Sequence, residues 1–247
     1  MCWSGEASAV LAAAGIGTTL YAMYKKEPPA LWAALGYFSL MELLQAFTYS
    51  VIDQCGMASN QIATLLGYLH ITFQPFFINA LSMYFIPKRI ADKVAPWAYA
   101  FCFFSAIFMI IQLFPFDWAG LCQHGRFLCG EKLCSVSGNW HIAWEVPTNG
   151  IFNSTTNTLM RGFPTYFIAA LILPVLYGSW RMTLYHAVMG PFLASLLTTN
   201  MNERPAVWCL LSIGILMIVV KTRLRDVLHV KTWIFWRKEK DKEEKTA

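Results

Sequence analysis

The chain has 247 residues, 57% hydrophobic and 13% charged, with a net charge of +5 and a mean hydropathy of +0.46. A soluble domain carries roughly twice that share of charged residues, and a disordered chain needs low hydrophobicity, so both classes are excluded. The positive balance does not point to nucleic acid: no DNA- or RNA-binding motif occurs, and most Lys and Arg lie in short loops and the C-terminal tail. The composition predicts an all-α, polytopic membrane protein whose first partner is the lipid bilayer.

A membrane-spanning helix needs about 20 mostly apolar residues. Seven segments qualify: 7–24, 31–52, 62–86, 95–114, 163–180, 182–199 and 205–220. Their long continuous runs favour helices over a barrel, whose strands alternate. The weakest boundary is the short connection at Gly178–Arg181. Lys25, Lys26, Lys88, Arg89, Lys93, Arg181 and nine tail residues put fifteen positive charges on one side. Arg126, Lys132, Arg161 and Arg204 put four on the other. The positive-inside rule then sets the N-terminus outside and the C-terminus in the cytoplasm of a plasma or internal membrane. The start has no basic segment or cleavage signal, so the first span is expected to insert directly. Residues 1–222 form the seven-helix domain in this reading, and 223–247 a cytoplasmic, basic, aromatic tail. Thr232–Trp236 is expected to lie as an interfacial helix, and the chain from Lys238 to be disordered.

The longest loop, about 115–162, is expected outside, where a segment this long is functional or folded on itself. It carries Cys122, Cys129, Cys134, the run Trp140–Glu145 and a glycosylation triplet, Asn153-Ser154-Thr155. Five of the seven cysteines fall outside: Cys2, Cys55, Cys122, Cys129 and Cys134. Disulfides are expected there, most readily between two of the three loop cysteines. Cys122, His124, Cys129, Cys134 and His141 also form a candidate metal set, although their spacing matches no finger or ribbon. Glu145 or Glu203 could then serve as general base. Cys2 would become an N-terminal nucleophile or ligand if Met1 were removed.

Within the spans, Glu42 and His70 stand near the middle of their helices, where an ionisable group suggests function. Gln45 and Gln74 follow each by one turn on the same face. Together with Asn79 they suggest a polar cavity between the second and third helices, the alternative being an interhelical hydrogen-bond lock. Asp53, Gln54, Asn60, Gln61 and the run Asn200–Pro205 concentrate uncharged polarity at the outer ends. They suggest an outward-opening cavity with Asn202 and Glu203 at its entrance, although Asn200 or Asn202 could simply cap the last helix. His70-x4-Pro75-Phe76 recurs as His186-x4-Pro191-Phe192, a faint echo of an inverted repeat.

Receptor and rhodopsin readings fail on motifs. Met83-Tyr84-Phe85 stands where rhodopsin-type receptors carry Asp-Arg-Tyr, and no buried Lys lies in the last span. Alkaline-ceramidase-like hydrolases need two close His late in the chain, and the last span has none. The chain resembles a group of small seven-span membrane proteins. The residues behind this are Cys2-Trp3-Ser4, Met41-Glu42, Gln74-Pro75-Phe76-Phe77, Trp140-His141-x-x-Trp144 and Asn202-Glu203-x-Pro205-Ala206-x-Trp208-Cys209. The resemblance implies topology only; it assigns no activity, cofactor or site residue. The leading expectation is a protein binding a small molecule or ion at Glu42, Gln45, His70, Gln74, Asn79, Asn202 and Glu203, with transport preferred to sensing. The alternatives are a membrane-embedded enzyme with an outer-face metal or His/Glu/Cys site, and a receptor or assembly protein.

Overall fold

The computed structural model describes residues 3–153 and 162–236, with residues 214–221 described by their backbone. Cys2, Ser154 and Thr155 of the glycosylation triplet, Arg161 and the tail from Arg237 lie outside the described residues.

Helix α1, Gly5–Tyr24, begins where the Ser4 hydroxyl accepts the Ala7 N–H, with Glu6 in the first turn against the helix dipole. It returns through Lys25 and Lys26 into α2, Pro29–Tyr49, which starts on a proline, a residue suited to a first turn. Ser8, Ala12, Gly15 and Ala22 are buried on one face of α1. This stripe of small side chains lets the two backbones approach closely. Next come α3, Ala58–Tyr84, and α4, Lys88–Ile111. The Tyr68 hydroxyl of α3 donates to the Met109 carbonyl of α4 at 2.7 Å.

The next two long helices are less regular. In α5, regular turns at Pro164–Phe167 and Leu173–Leu176 flank a π segment, Ile168–Ile172. In α6, Trp180–Ala187 and Leu193–Leu197 flank a second one, Val188–Phe192. Each π segment lies at a proline, Pro174 or Pro191, which has no N–H to give the preceding turn. A helix α7, Arg204–Lys221, runs back into the bundle against α2 and α6.

Among the described residues, Gly5–Tyr24, Pro29–Tyr49 and Lys88–Ile111 are long and apolar enough to cross a membrane, three helices where the sequence suggested seven spans. The 27-residue α3 is not among them, its apolar run being broken by polar residues such as Asn60, His70, Gln74 and Asn79. The apolar part of α5 is shorter, Pro164–Leu176, and the stretch of α7 with described side chains is Arg204–Ile213.

Helices α1 to α4 start earlier than hydropathy alone indicates: Ser4 caps α1, and α2 and α4 begin directly after Pro28 and Pro87. At the end carrying Lys25 and Lys88, the tail folds back on the bundle. Helix α8, Arg223–Leu228, puts Arg225 between Glu27, at 2.9 Å, and Tyr84. The Arg181 side chain donates to the Val227 and His229 carbonyls, and the Val230 N–H donates to Phe85. The expected interfacial helix at Thr232–Trp236 is a three-residue 3-10 turn, Ile234–Trp236, following Trp233. Trp233 and Trp236 pack over Gly178.

At the opposite end the long loop forms a two-stranded antiparallel hairpin, β1 Cys134–Ser137 and β2 Ile142–Glu145. Two cysteine pairs are at disulfide distance: Cys122 with Cys129, and Cys55 with Cys134. The second ties the hairpin to the α2–α3 connection across a separation of 79 residues. A closure of that length removes about 4 kcal/mol of chain entropy from an unfolded state, less where the unfolded chain keeps its helices. Peptide mapping without reduction should return these two linkages; any Cys102 or Cys209 disulfide would contradict the fold, since both are free and buried.

Candidate functional site

The hairpin seals the polar helix ends around 53–61 and 200–205 rather than leaving them open. The Asp53 carboxylate accepts the Ser137 N–H at 2.7 Å and its hydroxyl at 2.5 Å. Asn60, fully buried at the start of α3, grips Ser135 in both directions: its Nδ2 donates to the Ser135 carbonyl and its Oδ1 accepts the Ser135 N–H. Gln61 donates to the Cys55 carbonyl. Asn202 makes a matching two-way bond with the Cys129 backbone, and its own carbonyl accepts the Trp144 N–H. These residues form a joint between loop and bundle.

Glu203 is the centre of that joint. It is fully buried at the N-terminal edge of α7, where the helix dipole favours a carboxylate. One oxygen accepts the backbone N–H groups of Trp140 and His141, and the other accepts the Thr198 hydroxyl at 2.5 Å. The turn residue Gly138 lies against this carboxylate: a Cβ there would come within 2.7 Å of the Glu203 carboxyl carbon.

Below Glu203 the His141 ring is fully buried between two α2 side chains. Its Nε2 is 2.8 Å from Gln45 Oε1, an acceptor, so Nε2 carries the proton; its Nδ1 then accepts from the Tyr49 hydroxyl at 2.6 Å. Gln45 Nε2 points to the Ala206 carbonyl of α7 at 3.5 Å, consistent with that assignment. Burial pushes the His141 imidazole down to about 3, so the ring is neutral. Both ring nitrogens are engaged, leaving no open coordination position.

The sequence-predicted metal set does not come together. Cys122, Cys129 and Cys134 are taken by disulfides, His124 is exposed 4.0 Å from Glu131, and His141 is held by α2. No cluster able to hold a metal ion occurs among the described residues.

The proposed pairing of Glu42 with His70 does not form either. The His70 ring stacks on Tyr37 at 3.8 Å, and Tyr37 stacks on Phe77 at 3.8 Å. Tyr37 and Glu42 are five residues apart, which turns them to well-separated faces of α2. Glu42 is buried with Ser8, Gln45 and Cys209 at the meeting of α1, α2 and α7. Asn79 is a joint as well. Its Nδ2 donates to the Ala169 carbonyl at 2.9 Å, and Tyr177 donates to its Oδ1 at 3.0 Å. Ala169 is the carbonyl a π turn would pair with residue 174, a proline without an N–H, so Asn79 fills the missing donor. The two copies of the His-x4-Pro-Phe echo also differ: Pro75 lies in regular helix and Pro191 in a π segment.

Besides an open apolar groove along Tyr37, Leu44, His70 and Phe77, a more enclosed cavity lies elsewhere. About 640 Å³ lies between α3, α5, α6 and α7, roofed by Phe127 and Leu128 of the loop. Its walls are apolar, and both π segments border it, through Leu171 and Ile172 on one side and Pro191 and Phe192 on the other. Trp208 reaches it because α6 has a glycine opposite: a Cβ on Gly190 would meet the Trp208 ring nitrogen at 2.4 Å. Four polar features break the apolar lining. Tyr166 donates to Gln74 Oε1 at 2.6 Å, Ser195 keeps its hydroxyl on the Phe192 carbonyl, the Trp208 indole N–H has no hydrogen-bond partner among the described residues, and Arg204 sits at the loop end. Arg204 spends one N–H on the Thr198 carbonyl, at 3.0 Å. Of the predicted site residues only Gln74 lines this cavity. The remaining lining consists of ordinary apolar side chains, which carry no sequence signal beyond the two helix-interrupting prolines.

A family described as a family of unknown function, DUF5765, matches residues 6–229. The chain belongs to the DUF5765 family. The match takes in α1 through α8, so the Glu203 joint, the hairpin and the cavity are all parts of the DUF5765 unit. No curated protein and no solved structure matches the chain.

Proposed function

We propose that this is a seven-span membrane protein, N-terminus outside, that binds a small amphipathic molecule in the cavity between α5, α6 and α7. Carriage of that molecule is preferred to sensing. Several features support the membrane reading. Large apolar side chains cover the helix exteriors, among them Leu40, Phe47, Leu66, Phe73, Phe103 and Leu196, far more than a water-soluble surface carries. Lys25, Lys88, Arg181 and Arg225 gather at one end, and both disulfides at the other, as a reducing cytoplasm and an oxidising exterior require.

The observation that carries the ligand reading is the cavity's chemistry. A volume of about 640 Å³ falls within the range of small-molecule pockets. Its apolar depth suits a hydrocarbon tail, Gln74 with Tyr166 gives one polar contact inside, and Arg204 offers donors to an anionic head near the outer surface. Of the residues expected to bind a ligand, Gln74 lines this cavity, whereas Gln45, Asn202 and Glu203 bond the cap. An enzyme at His141 is not favoured, because a fully buried ring with both nitrogens bonded has no room for substrate.

Binding of a fluorescent single-chain fatty acid to the purified protein tests this. Ala187→Phe puts a ring into the cavity and should weaken binding by about tenfold or more, roughly 1.4 kcal/mol. Arg204→Gln should weaken an anionic probe more than its uncharged alcohol. Equal binding by wild type and Ala187→Phe would remove the cavity from the account.

A further inference from the structure

We propose that Glu42 is a proton-binding site reached from the outer face, independent of the amphiphile cavity. The side chain is fully buried, and neither carboxyl oxygen has a hydrogen-bond partner of normal geometry among the described residues. A carboxylate in such surroundings is too costly to persist, whereas the O–H form is tolerated. Among the described residues no cation offsets it. From α1 the group facing it is the Ser8 hydroxyl, with Glu6 exposed beyond. From α7 it is the Cys209 thiol, and on α2 itself Tyr49 lies two turns outward. His70 of α3 is turned onto Tyr37, and His141 of the hairpin is held by Gln45 and Tyr49.

The route to Glu42 runs outward. It lies seven residues before Tyr49, about 10 Å below the outer end of α2. Ser8 is in the first turns of α1 and accepts the Trp3 indole N–H at 2.9 Å. Trp3 stacks on Trp140, ring centroids 5.8 Å apart, and the Trp3 backbone N–H donates to the Trp140 carbonyl. Trp3, Ser8 and Glu42 therefore form a polar column capped by the Trp3–Trp140 pair. Arg204 takes no part in it, and Gln74 touches it only through Cys209, whose sulfur lies 4.0 Å from Gln74 Nε2.

A carboxyl that holds its proton in an apolar setting reacts with a lipophilic carbodiimide. The O–H proton moves to one carbodiimide nitrogen and the carboxyl oxygen bonds to the central carbon. Acyl migration to nitrogen then leaves a stable N-acylurea that keeps every atom of both reactants. Right-side-out vesicles containing the full chain would be treated with dicyclohexylcarbodiimide, and the adduct located by peptide mass spectrometry. The expected result is an adduct on Glu42 that is lost as the outer pH is raised at constant inner pH. Mapping on the wild-type chain needs no variant to fold; Glu42→Gln, where it folds, should lose the adduct. Absence of a Glu42 adduct, or an adduct that follows only the inner pH, would overturn the proposal. Either result leaves the fatty-acid measurement on Ala187→Phe unaffected.

Discussion

Glu203→Ala is expected to lower stability by roughly 3–6 kcal/mol, because it strands two buried donors and a half-buried one at once. The Trp140 and His141 N–H groups and the Thr198 hydroxyl all end on this one carboxylate, the last two fully out of solvent. Losing an acceptor from a buried site costs the full desolvation of each orphaned donor, about 1–3 kcal/mol apiece, more than the net gain of making the bond. Glu203→Gln keeps one carbonyl oxygen for the two backbone donors and should lose clearly less. The ordering separates hydrogen-bond geometry from simple packing. Thermal unfolding in detergent gives the stability. Limited proteolysis gives the location, since a released hairpin should become cleavable around residues 138–141 while the Cys55–Cys134 linkage survives. An alanine variant as stable and as protease-resistant as wild type would mean that the joint does not hold the cap.

The same joint explains which parts of the protein could be read from sequence. Helix positions α1 to α4 follow from long apolar runs, whose period is local. Two disulfide-bonded pairs fit the outer crowding of cysteines, although their partners could not be chosen from spacings of 7 and 79 residues. The hairpin was not legible: strands of four residues, Cys-Ser-Val-Ser and Ile-Ala-Trp-Glu, are too short to display alternation. They form because Glu203, Asn60 and Cys55, all distant in sequence, hold them. Gln45 and Glu42 do share a buried face, as their spacing required. Their expected partner His70 fails because depth along a helix says nothing about direction around it, and His70 looks onto Tyr37 instead. The partner that Gln45 does find, His141, is 96 residues away. The cavity escaped notice for a different reason. It is a space between common side chains, created where Pro174 and Pro191 force π turns, and no residue type announces it.

Acid should loosen the cap through His141. In the folded protein burial holds this imidazole at about 3, against 6.5 when unfolded. A histidine lowered in this way binds its proton in the unfolded chain first, so its contribution to stability is complete above about pH 6.5 and declines toward about pH 3. At pH 5 the loss should be on the order of 2 kcal/mol. The structural cause is specific. The neutral ring donates from Nε2 to Gln45 and accepts at Nδ1 from Tyr49, whereas the charged ring carries two donors and must turn the Tyr49 hydroxyl around while burying a cation. His141→Gln loses hydrogen bonds at every pH and should be less stable than wild type near neutrality. Its stability should nevertheless fall less steeply between pH 6.5 and 4, since its amide does not titrate. Unfolding curves for both proteins across that interval decide the matter: converging stabilities toward acid identify His141 as the titrating group, and parallel slopes assign the acid sensitivity elsewhere.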